Sequence, residues 1–76
     1  MRRRQLEIFL EQFGIDIKNV VEIFFDEENR VHQDHDMYAV ATAQGDRYWF
    51  VHGVLRRESL DSLEPPAVRA DGTPIF

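Results

Sequence analysis

The sequence predicts an α+β domain: one N-terminal helix packed on an antiparallel meander of three or four strands, ending in a short C-terminal helix or hairpin tail. Three stretches carry this expectation. Leu6, Phe9, Leu10 and Phe13 fall at helical spacing. Residues 19–26, NVVEIFFD, form a β-branched and aromatic run, and residues 37–52, MYAVATAQGDRYWFVH, hold two apolar runs around a polar break.

The helix is expected over about residues 3–13, because its apolar positions at i, i+3, i+4 and i+7 make one stripe, with Glu7 and Glu11 on other faces. Gly14 supplies the left-handed stop, and Ile15 can return to touch Leu10 as a Schellman motif requires. Arg2, Arg3 and Arg4 stand at the positive end of this helix, an unfavourable place for cations. They are either a solvated terminus or a site for phosphate or carboxylate, and Arg3 can pair with Glu7.

The run at residues 19–26 reads as the first strand, with Val21, Ile23 and Phe25 on the core face and Val20, Glu22 and Phe24 on the other. Glu27-Glu28-Asn29 is a turn signal. Residues 30–36 are polar apart from Val31, and read either as an acidic loop or, preferably, as the start of a strand. That strand pairs with residues 19–26 and continues into residues 37–43, with a bulge near Asp34 to Asp36.

Residues 37–52 read as a hairpin with a two-residue loop, Gly45-Asp46 in preference to Gln44-Gly45. This register puts Tyr38, Val40, Thr42, Trp49 and Val51 on one face and Met37, Ala39, Ala41, Ala43, Tyr48, Phe50 and His52 on the other. Neither face is polar, so both need cover. Residues 58–63 suit a short helix ended by Pro65-Pro66, and Asp71-Gly72 marks a turn in the tail. Residues 1–64 are thus read as a single small domain, and residues 65–76 as a proline-containing tail, docked or flexible.

Hydrophobic residues make up 43% of the chain and charged residues 30%, the balance of a folded protein and not a disordered one. With no cysteine in the sequence, disulfides and thiolate metal sites are excluded. No run reaches the length of a membrane span, and Glu7 and Glu11 break what a signal peptide would need as its apolar segment. A cytoplasmic protein is expected, with no membrane partner. The net charge of −5 lies in residues 26–46, where six acidic side chains face Arg30 alone. Such a surface disfavours nucleic acid and attracts basic partners, or is simply a solvated acidic loop.

No catalytic motif emerges. Ser59 and Ser62 lack a nucleophile-elbow context, four scattered glycines form no phosphate loop, and a carboxylate pair such as Glu22 and Asp26 needs a pocket. Neither a catalytic role nor a cofactor is expected. His32, Asp34 and His35 are weak candidates for metal ligands, with His52 a further imidazole only if the fold brings it near. Tyr38, Tyr48, Trp49 and Phe50 beside Arg47, Arg56 and Arg57 resemble in kind a stacking platform for single-stranded nucleic acid. The favoured expectation is a non-catalytic interaction module, either a small acidic regulator or inhibitor or a homodimer. Phe24, Tyr38, Val40, Trp49 and Val51 are its expected contact face, and Asp34 and Asp36 its acidic rim.

Overall fold

The computed structural model describes residues 2–57 and 64–76; the helix expected over residues 58–63 lies outside them. The fold is the expected α+β arrangement. Helix α1 (Arg3–Glu11) leads through a 3₁₀ turn (Ile17–Asn19) into β1 (Val20–Ile23). Then follow β2 (Val40–Thr42), β3 (Arg47–Tyr48), β4 (Phe50–Val51), β5 (Val54–Leu55) and β6 (Ala67–Val68). The main sheet is antiparallel with strand order β1-β2-β3-β6, and β4 and β5 form a separate hairpin.

The helix ends as its sequence dictates. Gly14 has φ of 75°, Ile15 N–H donates to Leu10 C=O and Gly14 N–H donates to Glu11 C=O, the two bonds of a Schellman motif. The turn brings Ile15, only 2% exposed, into the core beside the fully buried Leu10. Phe9 and Phe13 pack on Phe50 with ring centroids 5.5 and 5.2 Å apart. Each such pair contributes about 0.5–1.5 kcal/mol beyond area burial.

The strands depart from the expected faces in two places, by one residue in β1 and by three in the β2–β3 pairing. In β1 the register runs Val20 to Thr42 and then Glu22 to Ala41, so Val21 is bulged out. Val20 and Ile23 pack on the core, while Val21 and Phe25, expected inside, are exposed. An extra residue resets the alternation beyond it.

In the β2–β3 hairpin, Thr42 N–H donates to Asp46 C=O, which leaves Ala43, Gln44 and Gly45 as a three-residue loop in place of the expected two. Gly45 takes φ of 88°, and a Cβ there would stand 2.7 Å from that of Ala70. The longer loop also starts earlier, so the residue opposite Tyr48 moves by three, from Ala43 to Val40, which turns Val40 into the core together with Tyr48 and Phe50. Trp49 keeps its expected place on the opposite side from Phe50, against Tyr38.

Residues 30–36 are neither a continuous strand nor a plain loop. Val31 bridges Phe25 and His32 N–H donates to Phe24 C=O, so the segment does begin by pairing with the end of β1. The chain then loops outward, with His35 and Asp36 at positive φ, before entering β2. The expected bulge is thus a whole excursion. At the far side of the sheet, β6 pairs with β3, and Pro74 and Ile75 fold back over β6.

Candidate interaction site

Two surfaces follow from this arrangement. The first is the free side of β1. One edge of the main sheet, β6, is covered by the bridge from Val68 to Pro74, whereas among the described residues β1 pairs on one side only. Phe24 N–H donates to Ala39 C=O and Phe24 C=O accepts from His32 N–H, so alternation aims the main-chain groups of Ile23 and Phe25 away from the sheet. Val21, Phe24 and Phe25 beside this edge are 61%, 37% and 41% exposed, and Met37 is 53% exposed.

The second surface is a cleft of about 410 Å³ beyond the end of β1, lined by Phe25, Asp26, Glu27, Glu28 and Arg30 on one side and by His32, Gln33, Asp34 and His52 on the other. The turn after β1 is capped by Asp26, whose Oδ1 accepts from Glu28 N–H and Arg30 N–H. Asn29, at φ of 61°, completes it. The β4–β5 turn is His52-Gly53, both with positive φ, as a type I′ turn requires. It is tied to the segment after Val31, because Gly53 N–H donates to Val31 C=O and His52 N–H donates to His32 Nδ1.

These bonds fix both imidazoles. His32, only 7% exposed, accepts at Nδ1, so its proton sits on Nε2 and is donated to Asp34 Oδ1 at 2.8 Å. The His52 ring stacks on it, with centroids 4.0 Å apart and planes 9° from parallel. His52 Nδ1 lies 2.7 Å from Asp26 Oδ2, which also accepts from Arg30 Nε at 2.8 Å. Burial raises the Asp26 pKa, but hydrogen bonds from His52, Arg30 and Glu28 outweigh it and hold the carboxyl well below the usual range. Asp26 is therefore an acceptor only, and His52 donates Nδ1–H to it. His52 Nε2 has no hydrogen-bond partner among the described residues.

The expected contact residues separate. Phe24 remains at the surface beside the open edge, and Asp34 is at the rim of the cleft. Val40 is fully buried, so it belongs to the core and not to a contact face. Val51 is half-buried in the β4–β5 hairpin. Tyr38 donates its hydroxyl to Glu22 at 2.8 Å and meets the Trp49 ring edge to face. Ala41, paired between Glu22 and Arg47 on the neighbouring strands, is 7% exposed.

Trp49 is itself covered, at 8% exposure. Its indole N–H donates to Asp36 C=O, its backbone N–H donates to Pro66 C=O, and Arg57 lies on its face with the guanidinium carbon 3.9 Å from the centroid. Arg57 is held by Asp36 through two bonds, at 3.1 and 2.9 Å, and by Glu64 at 3.0 Å. Hydrogen bonding from Arg57 keeps the Asp36 carboxyl below its ordinary value. The second sheet face thus finds its cover inside the chain, and Asp36 is spent on that cover.

Of the weak metal candidates, His32 has both ring nitrogens engaged, and His35 is placed apart in the outward loop. Among the described residues, no group of three or more histidine, aspartate or glutamate side chains is arranged to hold a metal ion. Also among the described residues, no helix is long and apolar enough to cross a membrane. The sequence reading missed Asp26 as the partner of His52 and Arg57 as the lid of Trp49. These pairs lie 26 and 8 residues apart, and no local pattern announces either contact. No protein-family model, curated protein or solved structure matches the chain.

Proposed function

We propose that the protein is a non-catalytic interaction module, a small acidic regulator that docks on a larger protein by receiving an extended segment along the free side of β1. The observation that carries this reading is the open edge with Val21, Phe24 and Phe25 exposed beside it. Main-chain groups that lack a sheet partner offer affinity to an added strand, and alternate apolar side chains offer specificity. The bulge at Val21 and the charge of Glu22 limit uncontrolled pairing of the same edge. Trp49, buried beneath Arg57, and Tyr38, half-buried and bonded to Glu22, organise the opposite side and stand back from the contact.

The test is amide hydrogen exchange on the complex with the co-purified natural partner. Slowed exchange at the Ile23 and Phe25 amides supports the reading. Protection confined to residues around Trp49, with the β1 edge unchanged, overturns it. Light scattering on the isolated chain adds one distinction: a dimer with the same protected amides makes the partner a second copy.

A further inference from the structure

We infer that the cleft beyond β1 takes a basic side chain, arginine or lysine, carried by the segment that docks on β1; this rests on the edge reading above. Phe25 is the last edge residue and also a wall of the cleft, so a strand added along β1 runs directly past its mouth.

The chemistry of the lining selects the occupant. Asp26, Glu27, Glu28 and Asp34 stand against Arg30 alone, and the Arg30 guanidinium is already engaged by Asp26 at 2.8 Å and Glu28 at 3.2 Å. An anionic side chain meets net repulsion there. The buried His32 ring aims its only N–H at Asp34 Oδ1, which orients that carboxylate and leaves Oδ2 with no partner among the described residues. The His52 ring, held by Asp26 through Nδ1, lines the same cleft. A carboxylate oriented in this way matches a group that brings donors only, as ammonium and guanidinium do. The half-exposed Phe25 ring offers apolar cover to the methylene stem of such a side chain.

The inference is tested with three capped eight-residue peptides of alternating valine and threonine, carrying at one end an arginine, a citrulline or a glutamate. Each is titrated into the full chain and followed by amide and imidazole NMR signals. The arginine peptide is expected to move the Ile23 and Phe25 amides together with the His52 ring, and to bind about tenfold more tightly than the citrulline peptide, the worth of one charge-assisted hydrogen bond. Asp34→Asn, whose amide oxygen can still accept from His32, is expected to remove that preference. Equal affinity of all three peptides at β1 overturns the basic-side-chain inference and leaves the edge reading standing. If none of the three moves the Ile23 and Phe25 amides, both are overturned.

Discussion

Arg57 lies flat on Trp49, its guanidinium carbon 3.9 Å from the ring centroid, while its two nitrogens Nε and Nη2 grip the Asp36 carboxylate at 3.1 and 2.9 Å. One side chain thereby closes an aromatic face that would otherwise be wet, and ties the outward loop of residues 33–37 to the strand end after β5. The guanidinium plane is required for both tasks, since an ammonium makes neither two parallel bonds nor a stacked contact. Arg57→Ala is expected to lower stability by about 2 kcal/mol, and Arg57→Lys to recover less than half of that. Urea unfolding followed by Trp49 fluorescence measures both, and a lysine variant as stable as the parent refutes the planar-contact account.

The same pair sets a pH dependence. Asp36 is held below its ordinary value of 3.8 by the Arg57 hydrogen bonds, and Asp26 is also depressed, against its burial, by His52, Arg30 and Glu28. A carboxyl whose folded pKa lies below its unfolded one contributes stability that is fully present above the unfolded value and is lost as pH falls through the folded value. Stability is therefore expected to hold from neutral pH down to about 4 and to fall below that. Asp36→Asn should be less stable at neutral pH and lose less over the acid window. Urea midpoints at neutral pH and below pH 4 decide it, and an equal acid loss in both proteins removes Asp36 from the explanation.

What could be read from the sequence follows the range of the interactions. The helix and its end were legible because Leu10, Gly14 and Ile15 are near neighbours, and the Schellman bonds involve nothing beyond them. The existence of the β2–β3 hairpin was legible from its apolar runs and Gly45. Its register was not, because loops that differ in length by one residue shift the pairing here by three, and only the packing of Ala70 against Gly45 and of Phe50 against Phe9 and Phe13 selects between them. That shift decides whether Val40 is a surface contact or core. The bulge at Val21 has the same character, since either Val20 or Val21 suits the core as a side chain. The histidine cleft was legible only as a polar segment, because Asp26, His32 and His52 come together through main-chain bonds between Val31 and Gly53.

Gly45 gives a direct test of the corrected register. Gly45→Ala forces a non-glycine residue to φ of 88° and places its Cβ 2.7 Å from that of Ala70. The left-handed conformation alone costs about 1–2 kcal/mol, and the contact adds to it. Combining Gly45→Ala with Ala70→Gly is expected to restore the contact part and leave the conformational part. Thermal unfolding of the single and double variants separates them. A two-residue Gly45-Asp46 loop does not create this coupling with Ala70, so purely additive effects would argue for the other register.

The interaction reading and the fold make opposite demands on Phe24 and Trp49, and that contrast is its sharpest test. Phe24 is 37% exposed and Val21 is 61% exposed, whereas Trp49 is 8% exposed beneath Arg57. Val21→Lys with Phe24→Lys places charge beside the open edge without emptying the core, so stability should stay within about 0.5 kcal/mol of the parent for each change. Trp49→Ala empties a covered site and is expected to cost about 3–5 kcal/mol, a large share of what a chain of this size holds. Partner binding should therefore be lost in the lysine variant while its unfolding curve stays in place, and lost in Trp49→Ala only as the protein unfolds. A folded Trp49→Ala protein that fails to bind, beside a lysine variant that binds normally, would move the contact from β1 to the aromatic face.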